Sequence, residues 1–203
     1  TLHGSAQLIT VGGWHVLDLG DKDGWLDLGG ETGWDELTDD NFTIATHLFI
    51  PSTTDLSQAG NFVFSFSHAA DIHQQPDGCF FLGAGKTRYA ITPTDYRDEQ
   101  GVQTGIPLEK GVWQHVAYRQ QDGLGTLFIN GLPVASDSVR LAPKDIGQTE
   151  YNWLGRSCYS GDAYLKGARY CWLSFTHGAL SDEQIIDECE SYLDDLNGEL
   201  FGS

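Results

Sequence analysis

Methionine is absent from the 203-residue chain, and basic residues are scarce: 11 Lys and Arg stand against 29 Asp and Glu, a formal net charge of −18. A field of that sign repels phosphate backbones and anionic headgroups, so nucleic acid and membrane surfaces are poor partners. No apolar run approaches the length of about eighteen residues that crosses a bilayer, which excludes a membrane-spanning helix. The four cysteines, Cys79, Cys158, Cys171 and Cys189, contain no CxxC pair, which argues against a zinc knuckle or a thioredoxin-like redox site. GxSxG and HExxH are both missing, and with them the two most recognisable hydrolase signatures. The chain opens at Thr1 without a basic-then-apolar leader and reads as a mature or excised segment.

What is present is the composition of a glycine-punctuated globular protein: 40% hydrophobic residues, 12% aromatic residues and 25 glycines. A chain of this length can bury roughly 70% of its unfolded surface, enough for a core without metal or disulfide. Its acidity also opposes uronate-rich or sulfated polysaccharides unless a local basic pocket overrides it, so a neutral ligand is expected.

Short alternating apolar runs between turn residues recur along most of the chain, the pattern of an all-β sandwich. Phe42, Ile44, Leu48 and Ile50 share one face by period two, and Phe62, Phe64 and Phe66 repeat the device. Asn130-Gly131 between two apolar runs predicts a tight hairpin. Further strands are expected over 6–10, 24–28, 79–83, 88–92, 112–119, 151–155 and 170–176. One helix is expected, about 181–196: Ser181 and Gln184 form a capping box, Ile185, Cys189, Tyr192 and Leu196 follow at helical spacing, and the other face is acidic. The chain reads as a single domain, 1–203.

Several local patterns touch on chemistry. Gly83-Ala84-Gly85-Lys86-Thr87 resembles the end of a phosphate-binding loop but lacks its first glycine and the following helix, so a hairpin turn is expected. His68, Asp71 and His73 are metal-ligand types at unspecific spacing within a polar loop. Asp21, Asp23 and Asp27 lack the distal glutamate of a calcium loop. Glu31 with Asp35 or Glu36 could supply the two carboxyls of glycoside hydrolysis, but so acidic a chain offers chance pairs freely. Asn41-Phe42-Thr43 is a glycosylation sequon.

Tryptophan is the more informative residue, because a sugar presents an apolar CH face and a fringe of hydroxyls, which suit a ring beside hydrogen-bonding side chains. Trp113 and Trp172 lie inside strand patterns and read as core. Trp14, Trp25 and Trp34 sit among glycines and acids, and for them packing and binding both stay open.

Lys110-Gly111-Val112-Trp113-Gln114-His115-Val116-Ala117, running into Leu127-Phe128-Ile129-Asn130-Gly131-Leu132-Pro133-Val134, resembles the signature of laminin-G-like, concanavalin A-like jelly-roll domains. Leu154-Gly155-Arg156, Tyr164-Leu165-Lys166-Gly167 and Ala179-Leu180-Ser181 are similar to that family's closing stretch, and 2–4 and 21–28 to its opening. The resemblance implies a jelly-roll sandwich of two antiparallel sheets with a short C-terminal helix. It also implies a disulfide between Cys158 and Cys171, which flank a loop between neighbouring strands and would contribute about 3 kcal/mol in an oxidising compartment. Where such domains often carry an aspartate for structural calcium, this chain has Ala168-Arg169, which argues against a cation there.

Function follows as expectation. The resemblance implies an extracellular or cell-surface recognition module, and the first reading is a non-catalytic, carbohydrate-binding accessory domain of a glycoside hydrolase or adhesin. Its expected ligand is a neutral glycan, with Trp14, Trp34, Tyr96 and Tyr159 as rings and Asp71 or His73 as hydrogen bonders. The alternative is an architectural domain packed against a catalytic neighbour. A glycan hydrolase or lyase of the same fold comes third, since the run Glu-x-Asp-x-x-Glu of the laminarinases is absent.

Overall fold

The computed structural model describes residues 1–30, 40–75 and 77–201, except for the side chains of 192–195 and 199–201. Its strands are β1 (Leu2–His3), β2 (Gln7–Val11), β3 (Trp14–Asp18), β4 (Trp25–Asp27), β5 (Phe42–Phe49), β6 (Phe62–Ser67) and β7 (Cys79–Gly83). They continue as β8 (Arg88–Thr92), β9 (Gln100–Gln103), β10 (Trp113–Gln121), β11 (Leu124–Ile129), β12 (Leu132–Ser138), β13 (Tyr151–Leu154) and β14 (Arg169–His177). Two helices complete the order, α1 (Pro143–Ile146) and α2 (Asp182–Phe201).

The strands form two seven-stranded antiparallel sheets. The first runs β1-β4-β13-β6-β7-β8-β9 and the second β12-β11-β10-β5-β14-β3-β2. Their facing sides close on one core, with Phe64, Phe66, Phe80 and Ile91 from the first sheet against Phe42, Ile44, Val116 and Leu127 from the second. Burying each such side chain contributes roughly 1.5–3 kcal/mol. Tyr89 and Tyr118 stack across the gap with ring centroids 3.5 Å apart, and the Tyr118 hydroxyl donates to Gln120 Oε1 at 2.8 Å.

Turn chemistry sets the register of the second sheet. Asn130 and Gly131, at φ 49° and 77°, make the β11–β12 turn, and the backbone N–H of His115 donates to Asn130 Oδ1 at 2.9 Å. Both central residues are left-handed, as a two-residue hairpin matched to strand twist requires. The phosphate-loop lookalike is the β7–β8 hairpin, with Gly83 opposite Arg88.

Each sheet is also covered on its outer face. Helix α2 lies across β10 and β5. Ile185 packs there on Ala45, Ala117 and Phe128, and Leu196 packs on Val16 and Trp113. This explains why β5 is buried from Phe42 through Leu48 on both sides, where alternation alone accounts for only one. The capping box at the start of α2 forms: the Ser181 N–H donates to Gln184 Oε1 at 2.8 Å and the Gln184 N–H to Ser181 Oγ at 3.2 Å. On the first sheet the cover is loop. Residues 68–75 and 156–164 close over a second apolar cluster of Phe62, Ile72, Cys79, Phe81, Cys158 and Tyr159.

Candidate functional site

The loop-covered face gathers four residues from three segments far apart in sequence. Asp71 and His73 come from the β6–β7 connection, Tyr96 from a short turn after β8, and Tyr159 from the β13–β14 connection. They meet because β13, β6, β7 and β8 are consecutive in the sheet. The His73 ring lies 4.8 Å from Tyr159 and 5.6 Å from Tyr96, and the two tyrosines are 6.5 Å apart. Tyr159, 7% exposed, is the floor, whereas Tyr96 is 56% exposed and His73 stands beside it in solvent.

Asp71 ties two of these loops together. Its Oδ1 accepts the N–H groups of His73 and Ser160, each at 3.2 Å, and its Oδ2 accepts the Ser160 hydroxyl at 2.5 Å. The Ser160 hydroxyl bond is the largest cause holding the Asp71 carboxyl below the usual range. With those oxygens engaged, Asp71 positions the loops more than it presents a free acceptor. The Tyr159 hydroxyl donates to Glu99 Oε1 at 2.6 Å, and Glu99 in turn pairs with Arg88 at 2.6 Å. Burial pushes the Tyr159 phenol far above its ordinary range, so it stays a neutral donor. Beneath Tyr96, Asp95 receives the Arg97 N–H and Nε at 3.0 and 2.9 Å, and these bonds lower its carboxyl to about 2.

Other expected residues fall elsewhere. Trp14 belongs to β3 and packs with Trp113 and Leu196 under α2, on the outer face of the opposite sheet, so it is a packing ring and no part of this cluster. The flanking Gly12-Gly13 make it look like a loop residue, but they form the tight β2–β3 turn, at φ 54° and 85°. Trp34 lies outside the described residues, as do Glu31, Asp35 and Glu36. His68 turns its Nε2 to the Ile146 carbonyl at 2.6 Å, away from Asp71 and His73.

The expected disulfide is not formed. All four cysteines are free thiols, and Cys158 packs beside Cys79 in the cluster under Tyr159 while Cys171 belongs to the cluster under α2. The two sulfurs expected to bond thus face opposite sides of the sandwich. Burial, and then the neighbouring Cys158 thiol, push the Cys79 thiol well up.

Beside the aromatic cluster runs a cleft of about 590 Å³ lined by Asp21, Asp23, Asp55, Asn61, Asp162 and Tyr164, among others. Asp23 pairs with Lys166 at 3.3 Å, and burial raises the Asp162 carboxyl even though Ser157 donates to it at 2.7 Å. Among the described residues no three His, Cys, Asp or Glu come together as a metal site. At the position read against calcium, Arg169 Nε donates to Asp18 Oδ2 at 2.8 Å, so a guanidinium already holds the nearby carboxylate and the residues do not fit a cation. A further aromatic surface, built by Trp25, Trp153 and Tyr164 around Arg156, adjoins the cleft through Tyr164. In the sequence Arg156 shows only as the last residue of Leu154-Gly155-Arg156.

The laminin-G-like family model described as the concanavalin A-like lectin/glucanases superfamily matches residues 21–186. The chain belongs to that superfamily. Among solved structures, the superfamily fold recurs in domain 4 of AbnA, a GH43 extracellular arabinanase from Geobacillus stearothermophilus, in complex with arabinotriose. There the TM-score is 0.65 at 16% identity, with 92% of this chain and 86% of that chain covered. The binding domain of botulinum neurotoxin serotype D matches with TM-score 0.66 at 14% identity, over 95% of this chain and 46% of that one. A mutant of NanB sialidase from Streptococcus pneumoniae matches with TM-score 0.56 at 16% identity, over 83% of this chain and 27% of that one. This chain therefore spans less than half of the toxin domain and of the sialidase. At such identities the likeness is one of fold. Comparison with curated proteins gives no match.

Proposed function

We propose that this chain is a non-catalytic carbohydrate-binding module, an accessory domain of a secreted or cell-surface glycoside hydrolase or adhesin. The observation that carries the reading is the convergence of Asp71, His73, Tyr96 and Tyr159, with an exposed ring beside an exposed imidazole over a rigid, hydrogen-bonded base. A pyranose or furanose ring laid on Tyr96 would bury its CH face, while His73 and the Tyr96 hydroxyl reach the surrounding hydroxyls. A neutral glycan suits the acidic surroundings. The arabinotriose complex of AbnA domain 4 supports the same reading for this fold.

Calorimetric titration with arabinotriose and a neutral glycan array tests the proposal. Weak binding, with Kd on the order of 0.1–1 mM, is expected, and Tyr96→Ala should weaken it about five- to tenfold. Absence of binding to any glycan at millimolar concentration overturns the reading, and release of reducing sugar by the purified chain overturns its non-catalytic part.

The architectural alternative has one observation in its favour: edge strand β12 exposes Leu132 at 65% and Val134 at 44%. Glycan binding by the isolated chain decides between the two.

A further inference from the structure

The outer face of the first sheet carries a second construction, toward its β1 edge. His3 stacks on Trp25 with ring centroids 4.0 Å apart and planes at 6°, and Trp25 meets Trp153 edge-on at 5.1 Å. Against these rings rests Arg156, whose guanidinium carbon is 4.0 Å from the Trp153 centroid, 4.5 Å from that of Trp25 and 6.0 Å from that of Tyr164. The arginine leaves the sheet at Gly155, whose φ of 83° and tight packing on Leu19 admit no side chain. Its start is therefore fixed by backbone and its head by aromatic rings.

What this guanidinium lacks is a partner. Arg88, Arg97, Arg119 and Arg169 each hold a carboxylate, while the exposed Arg140 holds none among the described residues. Arg156, half-buried in a chain with 29 acidic residues, makes no hydrogen bond or ion pair among the described residues. Among the described residues the Trp153 indole N–H is also buried without an acceptor. The guanidinium is thus the half-exposed donor of the cluster, and no described residue supplies it an acceptor. A guanidinium lying on aromatic faces keeps its in-plane N–H groups directed outward, in the fork that matches a carboxylate. Because the rings already hold it in place, little side-chain entropy remains to be lost on binding.

We propose that Arg156, held against Trp25 and Trp153, anchors a second saccharide subsite that takes the carboxylate of an acidic sugar residue. The inference rests on the reading of the chain as a glycan-binding module. It departs from the neutral ligand expected from net charge, because bidentate recognition acts at contact distance; it works against the carboxylates lining the adjoining cleft, of which Asp23 is paired with Lys166, whereas the repulsion of acids beyond about 8 Å is screened at physiological salt. The His3 ring, stacked on Trp25, is the adjoining surface on which the sugar ring can lie.

The experiment compares trigalacturonate with its methyl ester, which keeps the sugar and removes the charge. Calorimetry on the unaltered chain should show the acid binding at least about tenfold more tightly than the ester. Arg156→Lys, which retains the charge but not the fork, should lose most of that difference, as should Arg156→Gln, with near-ultraviolet circular dichroism checking that both variants fold. Equal binding of acid and ester, or undiminished preference for the acid in Arg156→Lys, overturns the proposal. Binding of arabinotriose without any binding of trigalacturonate overturns it while leaving the module reading intact, and no glycan binding of any kind removes both. A peptide ending in a free carboxylate that binds where trigalacturonate does not overturns the assignment to a sugar.

Discussion

His115 illustrates how burial sets chemistry at single residues. Its ring is fully buried beneath α2, 4.9 Å from that of His47, and neither of its nitrogens has a hydrogen-bond partner among the described residues. Burial first, and the neighbouring His47 second, lower His115 to about 3, and burial lowers His47 as well. The unfolded chain therefore binds more protons than the folded one between the ordinary histidine value, near 6.5, and about 3. Stability should be complete above about pH 6.5 and fall as pH drops through that window, by roughly 5 kcal/mol for His115 at full extent. Glu188, 3.9 Å from His115 Nε2, is raised by burial and acts in the opposite sense at the acid end. Thermal unfolding at pH 7.5 and 4.5 checks this: His115→Leu should lose several degrees less than the unaltered chain between the two. An equal loss would show that the imidazole does not govern the acid limb.

The same scale shows what residue type can disclose. Asp71, His73, Tyr96 and Tyr159 are legible as rings and hydrogen bonders in polar loops, and they do meet. Trp14 has the same local appearance but pairs with Val11 across a tight turn and packs, partly buried, under α2. Arg156 gives no local signal, because an unpaired cation is defined by its surroundings and not by its neighbours in the chain.

At the scale of elements, α2 is anchored by more than its apolar stripe. Asn197 Oδ1 accepts the Trp113 N–H at 3.0 Å and its Nδ2 donates to the Trp113 carbonyl at 3.2 Å, so one side chain completes the backbone pairing at the start of β10. Asn197→Ala should destabilise the chain by about 1–3 kcal/mol, read from urea unfolding, because two part-buried main-chain groups lose their partner. A change within about 0.5 kcal/mol would mean that water replaces the amide without cost. The helix start and stripe were legible from Ser181, Gln184 and Ile185, as was the Asn130-Gly131 turn. Strands β3 and β9 were not, since Trp14–Asp18 follows two glycines and Gln100–Gln103 is largely polar.

For the whole molecule the net charge of −18 is the dominant global term. Pairs such as Arg88–Glu99 and Arg169–Asp18 are local attractions within a mutually repelling shell. Raising NaCl from about 10 to about 200 mM at pH 7 should therefore raise the unfolding midpoint by a few degrees, as screening relieves that repulsion. A falling midpoint would show that the ion pairs outweigh it.

Alternating apolar residues, glycine turns and a capped amphipathic segment determined two antiparallel sheets and a terminal helix, because those patterns act through near neighbours and their periodicity survives in the bare sequence. Strand order was decided only in three dimensions. It brought β13 beside β6, and with it Tyr159 to His73 and Cys158 to Cys79 in place of Cys171. Which rings face solvent, which thiols adjoin and which arginines lack a carboxylate depend on contacts between segments as far apart as Trp25 and Arg156, and such contacts leave no periodic trace along the chain.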